Sequence, residues 1–223
     1  VARMPEDPES AADIYDIVDL MEKYGVSDKE LVFSEYGYTS SVNYISDEMQ
    51  ANYIVRGAAL YQDVTDRIYW YNLQEKTTGS MSDAELHFGM IIGWQDVDIP
   101  YEPKPSFLAF SNYNRLMTGS SKIKQIEHSN ENVQLHLFNN DKGSNTIIAY
   151  SKEGEVRTAI NVGTDKVTVS DLYGNETIVK TRDGVLDLFL TVEPVYIIGS
   201  NLINTTEAES KFEIVQKEVN ATE

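Results

Sequence analysis

The segment ELVFSEYGYTSS, Glu30 to Ser41, joins a short apolar run to an acidic residue, an aromatic residue and a glycine. Its apolar run, Leu31-Val32-Phe33, is typical of a buried β-strand. Glu35 stands where this strand meets its loop, and Gly37 with the polar residues after it indicates the loop itself. An ionisable group in that position is either an ordinary surface glutamate or part of a functional site.

The composition predicts a folded protein without cysteine or metal chemistry. The chain has 223 residues, of which 41% are hydrophobic and 10% aromatic, enough for the core of one large domain or two small ones. Cysteine is absent, and the three histidines are too scattered to predict a metal cluster. We therefore expect no metal site and no other cofactor.

The net charge of the chain restricts the classes of partner that we expect it to bind. Lysine and arginine number 18 against 36 acidic residues, whereas nucleic acids and anionic membranes select basic surfaces. No apolar run approaches the roughly 18 residues of a membrane-spanning helix, so we expect neither nucleic acid binding nor membrane insertion. A net charge of −18 suits an extracellular or cell-surface protein, secreted and acting on neutral ligands.

Three helices are predicted before residue 121. Ser10 is a candidate N-cap for the first helix, and Gly25 is the residue expected just after its end. Ser46 is the candidate N-cap of a second helix with an apolar stripe. Pro105 suits the first turn of a third helix, which begins in the segment KPSFLAF.

Two strands alternate with these helices. Leu31–Ser34 is the first, and Arg67–Asn72, which is rich in aromatic and β-branched residues, is the second. The order helix, strand, helix, strand, loop, helix is typical of parallel α/β architecture, so we expect the two strands to be parallel.

The pattern changes after residue 121. Short alternating runs follow one another from about Lys122 to Gly199, separated by turn signals such as Glu153-Gly154 and Asp183-Gly184. This spacing predicts an antiparallel β-sandwich. The fold class is therefore α/β plus all-β, with an α/β part at 1–120, a β-sandwich domain at 121–200, and a linker or the start of a further domain at 201–223.

An ordered series of segments resembles a known group of enzymes. The series is FSEYGYTS, QANYIVRGAALYQDVTDRIYWYNLQE, HFGMI and KPSFLAF. It is similar to the last two β/α units of retaining glycoside hydrolases with (β/α)8 (TIM) barrels, in the clan whose nucleophile ends the seventh strand, with family 39 and related families. The segment VTVSDLYGNETIVKTRDGVLDLFLTVEPVYI resembles the β-sandwich appended to many such barrels.

The resemblance implies a role for Glu35 and a missing partner. Such enzymes place a carboxylate nucleophile under the anomeric carbon and a second carboxyl group about 5 Å away as acid/base. Glu35 matches the nucleophile, with Gly37 allowing a sharp turn after it. The acid/base of these families is an Asn-Glu pair far upstream, whereas Asn130-Glu131 and Asn175-Glu176 lie beside predicted turns. We expect the chain to be the C-terminal part of a glycosidase, inactive alone, whose partners are a carbohydrate substrate and the remaining barrel segment.

Other residues are weaker candidates for substrate binding. The resemblance implies that Trp70 stacks under the sugar, with core packing as the alternative. Glu75 is a candidate acceptor for sugar hydroxyls or else a solvated loop acid, and Tyr38 borders the site or donates a hydrogen bond to Glu35. His87 lines the cleft or is an ordinary loop histidine, and Arg56 is expected to be a surface or salt-bridging residue.

The alternative function is a non-catalytic carbohydrate-binding or spacer module. A binding module requires aromatic side chains on one exposed face of the sandwich. The aromatic residues of that region fall within alternating strands, so we expect core packing for Phe138, Tyr150, Tyr173, Phe189 and Tyr196.

Overall fold

The computed structural model describes residues 4–65, 67–76, 79–80, 82–93, 101–140, 143–199 and 202–210, without the side chains of Ser10, Ala11 and Ile203. Helices and strands alternate in the first part of the chain, which contains α1 (Pro8–Lys23), β1 (Val32–Tyr36), α2 (Asp47–Tyr61), β2 (Arg67–Trp70) and α3 (Pro105–Met117). A short 3-10 helix, Ala84–Leu86, interrupts the long connection between β2 and α3.

The first helix begins earlier than the sequence pattern indicated. Asp7 is its N-cap, and the Asp7 carboxylate accepts a hydrogen bond from the Glu9 backbone N–H at 3.0 Å. Pro8 occupies the first turn, where its missing N–H costs nothing. The expectation that Ser10 caps this helix is therefore wrong.

The other predicted helix ends are confirmed. Gly25 follows the C-cap of α1 and has φ 66°, a conformation that glycine adopts without a steric penalty. The Ser46 hydroxyl accepts from the Met49 N–H at 3.2 Å at the start of α2, and Pro105 lies in the first turn of α3.

The two strands of the first part are parallel, as predicted. Val32 pairs with Arg67, Phe33 with Ile68 and Tyr36 with Trp70, and the register shifts between Phe33 and Tyr36. A bulge at residues 34–35 therefore sets two residues of β1 against one of β2. The observed strands end at Tyr36 and Trp70 rather than at residues 34 and 72, because the chain leaves the ladder after the bond from Tyr71 N–H to Tyr36 O.

The second part consists of antiparallel strands, as predicted. They are β3 (Ser120–Gln125), β4 (Val133–Asn140), β5 (Asn145–Ser151), β6 (Val156–Asn161), β7 (Lys166–Ser170), β8 (Glu176–Lys180), β9 (Val185–Leu190), β10 (Val195–Gly199) and β11 (Thr206–Glu207). One sheet has the order β3-β4-β5-β10-β7-β8 and the other the order β11-β6-β9. After residue 130, the described helical structure is a 3-10 turn at Leu202–Asn204.

The C-terminal segment contributes to the second sheet. Thr206 and Glu207 pair with Asn161 and Ile160 of β6. These two residues, which the sequence placed in a linker or a further domain, thus belong to the three-stranded sheet.

Two clusters of buried side chains hold the chain together. One lies between the two antiparallel sheets and takes residues from both, including Leu135, Ile147, Ile160, Leu186 and Ile197. The other joins α2 and α3 to the six-stranded sheet, through side chains such as Ile54, Ala109, Phe138, Tyr150 and Tyr196. The helices are thus packed onto the sheet, and the two parts of the chain share a core.

The prediction that the aromatic residues of the sheets pack in the core is confirmed in part. Phe138, Tyr150 and Tyr196 are fully buried, as expected, and Tyr173 is half-buried. Phe189 contradicts the expectation, because it is 65% exposed on β9, where it pairs across the sheet with Arg157.

No helix of the described ranges is long and apolar enough to cross a bilayer.

Candidate active site

The loops after β1 and β2 meet at one edge of the parallel pair. Both loops follow the carboxyl ends of their strands, which is where parallel α/β folds place their functional residues. The Ser40 N–H donates to the His87 carbonyl at 3.1 Å, linking the two loops. A Cβ on Gly37 would lie 2.2 Å from the Tyr71 carbonyl oxygen. Glycine at 37 therefore serves this close approach rather than the sharp turn that the sequence suggested.

Glu35 lies on the face of the sheet opposite the helices. Tyr36, the next residue, points toward α2, because a Cβ on Gly57 would lie 2.3 Å from the Tyr36 hydroxyl. Glu35 is exposed on the other face. Ser34 is exposed as well, since the bulge interrupts the in-and-out alternation of the strand. The bulge thus sets Glu35 at the strand end with its carboxylate clear of the helices.

Tyr38 does not donate a hydrogen bond to Glu35, which is one of the two roles expected for it. Its hydroxyl lies 3.1 Å from the Tyr36 hydroxyl, and its ring packs edge-on against Tyr53 at 4.9 Å. Burial raises the pKa of Tyr38 and of Tyr36, so both hydroxyls stay protonated at neutral pH. In the part of the chain that the structure describes, the Glu35 side chain makes no hydrogen bond or ion pair.

Trp70 lies on the helix side of β2. It pairs with Tyr36 across the sheet and packs against the cluster between the helices and the six-stranded sheet. The Trp70 indole N–H donates to the Phe88 carbonyl at 3.3 Å. This placement agrees with the core-packing alternative rather than with a platform on the Glu35 face. Alternation places Tyr69, which is 52% exposed, on the Glu35 face instead.

Glu75 and His87 come together in a network centred on a buried lysine. The His87 Nδ1 lies 3.4 Å from a Glu75 carboxylate oxygen. Lys104 Nζ donates to the same oxygen at 2.9 Å, to the Ser40 hydroxyl at 2.6 Å and to the Asp47 carboxylate at 2.9 Å. Glu75 is 12% exposed, so it is not the solvated loop acid that was considered as the alternative.

Lys104 was missed by sequence reasoning, although a signal was present. It is the N-cap residue of α3, and its side chain is 1% exposed. A cation at the positive end of a helix dipole is unfavourable unless carboxylates compensate it. A lysine directly before Pro105 therefore indicated that acidic side chains lie nearby, but not which ones.

Arg56 forms a salt bridge, which is one of the two roles expected for it. It is buried rather than on the surface. Its guanidinium donates to Glu6 at 2.9 Å and 2.5 Å, and the two side chains are 1% and 6% exposed. It also lies over the rings of Tyr53 and Tyr150. The pair is buried and enclosed by protein side chains, so its role is structural.

The described residues contain no group of three histidine, cysteine, aspartate or glutamate side chains that could hold a metal ion. The side chains at the strand ends are carboxylates, one imidazole, one lysine and aromatic rings.

Comparison with known proteins gives similarity of structure alone. Scans against family models and against curated proteins find no match. A family 39 glycoside hydrolase from the gut symbiont Bacteroides cellulosilyticus has a TM-score of 0.70 at 21% identity, over 83% of this chain and 37% of that one. A family 30 endoxylanase from Clostridium papyrosolvens has a TM-score of 0.52 at 12% identity, over 81% of this chain and 44% of that one.

A third solved structure that is similar to this chain comes from another glycoside hydrolase family. The family 51 arabinofuranosidase from Xanthomonas axonopodis has a TM-score of 0.51 at 10% identity, over 85% of this chain and 46% of that one. The chain thus has a glycoside hydrolase-like fold and spans less than half the length of each of these three structures.

Proposed function

We propose that this chain is the C-terminal part of a retaining glycosidase. Residues 1–120 supply the last units of a (β/α)8 barrel, residues 121–200 form its appended β-sandwich, and the rest of the barrel comes from chain outside these 223 residues. The single observation that carries the proposal is the position of Glu35, exposed at the end of a parallel strand, on a bulge, facing away from the helices. The coarse glycosidase-like fold of the structural neighbours supports it.

Glu35 is the nucleophile in this proposal. Its carboxylate oxygen attacks the anomeric carbon, and the bond from that carbon to the leaving oxygen breaks. A second carboxyl group, outside this chain, protonates the leaving oxygen and then takes a proton from the water that releases the sugar. Glu75 and His87 bind sugar hydroxyls, whereas Trp70 and Tyr38 support the strand end by packing behind it.

The test uses the full protein that contains this chain. Glu35→Gln keeps the shape and removes the negative charge, so we expect turnover to fall by several orders of magnitude. The matched control is Glu30→Gln, at the other end of the same segment, where Glu30 is paired with Arg67 on the surface. This control should keep turnover within about twofold, because surface ion pairs contribute little.

A labelling experiment identifies the nucleophile directly. A 2-fluoro glycoside with a good leaving group should form a stable adduct on Glu35, found by peptide mass spectrometry. Near-normal turnover of Glu35→Gln, or an adduct on another residue, would show that the proposal is wrong.

The non-catalytic alternative has weaker support. A carbohydrate-binding face requires several exposed aromatic rings, and of the sheet aromatics that were considered, Phe189 is the one that is mostly exposed. Secretion to the cell exterior stays a prediction.

A further inference from the structure

Buried polar side chains stand at the starts of α2 and α3, next to the loops that follow β1 and β2. Gln50 is the fourth residue of α2, and Lys104 and Ser106 lie at the start of α3, one on each side of Pro105. None of the three is more than 2% exposed. Buried polar groups are nearly always hydrogen-bonded, so the partners of these side chains indicate what they hold in place. We call Gln50, Lys104 and Ser106 the polar clamp.

Gln50 connects α2 to both loops and to α3. Its side-chain amide nitrogen donates to the Tyr38 carbonyl, after β1, at 2.7 Å, and lies 3.2 Å and 3.3 Å from the His87 and Phe88 carbonyls, after β2. Its amide oxygen accepts from the Ser106 hydroxyl at 2.8 Å. Three carbonyls around one nitrogen require a donor there, so the amide has a single possible orientation. Gln50 therefore fixes the backbone of His87 relative to β1.

Lys104 connects the same elements through charge. Its ammonium donates to Ser40 in the loop after β1, to Glu75 in the loop after β2 and to Asp47 at the start of α2. These three bonds use all three N–H groups of the ammonium. A buried ammonium requires its counter-charges, because desolvation penalises an unpaired charge. The lysine is therefore held in one place by Glu75 and Asp47, and it holds Glu75 in return.

Glu75 is held through one of its two carboxylate oxygens. Lys104 and the His87 Nδ1 both contact Oε1, at 2.9 Å and 3.4 Å. In the described part of the protein, Oε2 has no hydrogen-bond partner and is not one of the buried polar atoms without a partner, so solvent reaches it. Glu75 also lines a cavity of about 210 Å³ between the two loops. One oxygen thus orients the side chain, and the other stays open to a donor from outside.

We propose that Lys104 and Gln50 are positioning residues for substrate binding. Lys104 holds Glu75 so that its Oε2 accepts a hydrogen bond from a sugar hydroxyl, and Gln50 keeps the loop that carries His87 in register with β1. Neither residue touches the sugar, and each acts through the residue that it positions. The inference rests on the proposed function, which gives Glu75 and His87 their role in sugar binding. It adds the residues on which their geometry depends.

A double-mutant cycle between Lys104 and Glu75 tests whether the lysine acts through the carboxylate. The full protein is assayed with 4-nitrophenyl glycosides of xylose, glucose, galactose and arabinose, and the variants are compared on the best of them. Lys104→Met keeps the length of the side chain and removes its donors, so we expect KM to rise roughly 3- to 10-fold with kcat within about twofold. In the Glu75→Ala background the same change should leave KM within about twofold, because Oε2 is already gone.

Lys124→Met is the matched control, because Lys124 is an exposed lysine on β3. It should change neither KM nor kcat, in either background. Effects of Lys104→Met and Glu75→Ala that multiply in the double variant would show that the two residues act independently. An unchanged KM in Lys104→Met, with a lower melting temperature, would show that Lys104 is merely structural. Either result would overturn the positioning role.

Ser106→Ala tests the Gln50 side of the polar clamp, and it decides the matter if Lys104→Met does not fold. The change removes the hydroxyl that anchors the Gln50 amide and adds no volume. We expect KM to rise at least roughly twofold with kcat unchanged, because the backbone of His87 is less firmly held. Ser121→Ala, at an exposed serine on β3, is the control and should have no effect. A Ser106→Ala variant with a lower melting temperature and an unchanged KM would contradict the inference.

These outcomes are distinct from those that test the proposed function. If KM is unchanged in Glu75→Ala while the fluoro-sugar labels Glu35, the positioning inference is wrong and the nucleophile stands. If the effects of Lys104→Met and Glu75→Ala do not multiply while Glu35→Gln keeps normal turnover, the polar clamp stands and Glu35 is not the nucleophile. Absence of hydrolysis of every glycoside by the full protein would contradict the proposed function and the inference that rests on it.

Discussion

Gly37 allows the loops after β1 and β2 to approach each other closely, and Gly89 allows two segments of the loop after β2 to do the same. A Cβ on Gly37 would lie 2.2 Å from the Tyr71 carbonyl oxygen, and a Cβ on Gly89 would lie 2.1 Å from the Glu75 backbone nitrogen. Both neighbours are backbone atoms, which cannot move aside as the end of a flexible side chain does. A side chain at either position would push the facing backbone segments apart.

Gly37→Ala should therefore destabilise the fold strongly. We expect the free energy of unfolding to fall by about 3 kcal/mol, the upper end of the range for overpacking. Gly154→Ala is the control, since its φ of 63° is strained for alanine but nothing lies within 4 Å of the added Cβ. That control should cost about 1 kcal/mol. Urea denaturation measures both, and equal effects would contradict the close-approach argument.

His136 is a buried histidine that the fold holds neutral. It lies in β4, is 0% exposed, and its Nε2 is 3.2 Å from the Tyr150 hydroxyl. Burial, with a smaller contribution from the nearby Lys122, lowers the pKa of His136 from 6.5 to about 3. Between these two values the unfolded chain binds a proton that the folded protein does not. Stability must therefore fall as the pH falls from about 6.5 toward 3.

A His136→Gln variant isolates this contribution. Glutamine does not titrate, so the variant should lose less stability on acidification than the parent, by up to about 1.4 kcal/mol per pH unit within the window. Urea denaturation at pH 7, 6, 5 and 4 provides the measurement. The same slope in both proteins below pH 6 would mean that His136 does not titrate as argued.

The strand-end position of Glu35 was easier to predict from the sequence than the placement of the residues around it. A strand end is visible in the sequence, so the position of Glu35 was predictable. The side on which Trp70 lies was not, because both faces of β2 carry aromatic residues and alternation alone does not say which face meets the helices. The contact of Glu75 with Lys104 joins residues 29 positions apart, and it depends on how the loops fold.

Local signals identified three helix ends correctly. Ser46, Pro105 and Gly25 act through their own backbone neighbourhood, so sequence alone identified them. The start of α1 was missed because Asp7-Pro8 competes with Ser10, and the apolar pattern begins only later. The bulge in β1 was invisible for a different reason, since a bulge is a property of the paired strands.

The segment before α1 is fixed to the rest of the fold by one buried ion pair. Glu6 binds the Arg56 guanidinium of α2 through two hydrogen bonds, and the Tyr61 hydroxyl donates to the Pro5 carbonyl at 2.7 Å. Burial works against the charged guanidinium, yet the Glu6 carboxylate raises the pKa of Arg56 overall. The guanidinium therefore stays charged, and its hydrogen bonds to Glu6 tie this segment to α2.

Removing one partner of this pair should be costly. Glu6→Gln leaves a buried guanidinium without its counter-charge, and we expect a loss of about 3–5 kcal/mol in the free energy of unfolding. Asp28→Asn is the control, because the Asp28–Lys29 pair is 68% exposed on both sides and should contribute less than about 1 kcal/mol. A Glu6→Gln variant no less stable than Asp28→Asn would show that the buried pair does not hold the segment.

In the whole molecule, the six-stranded sheet is covered by helices on one face and by the three-stranded sheet on the other. The two parallel strands β1 and β2 have one face without such a cover among the described residues. α2 and α3 share a core with the six-stranded sheet, so the two parts should unfold together. Within the described residues, β1 and β2 form a sheet of two strands, each paired on one side only. Their Glu35 face carries Tyr69, which is 52% exposed, and nearby Leu73 is 57% exposed.

The chain expressed alone should therefore self-associate through this face. Unpaired strand edges beside exposed apolar side chains are typical association sites. Tyr69→Glu places a charge on the face and should shift sedimentation-velocity profiles toward the monomer at the same concentration. Ile178→Glu is the matched control, because Ile178 is 68% exposed on β8 of the other sheet. A chain that stays monomeric at high concentration, or that responds equally to both variants, would contradict the idea that missing barrel units cover this face.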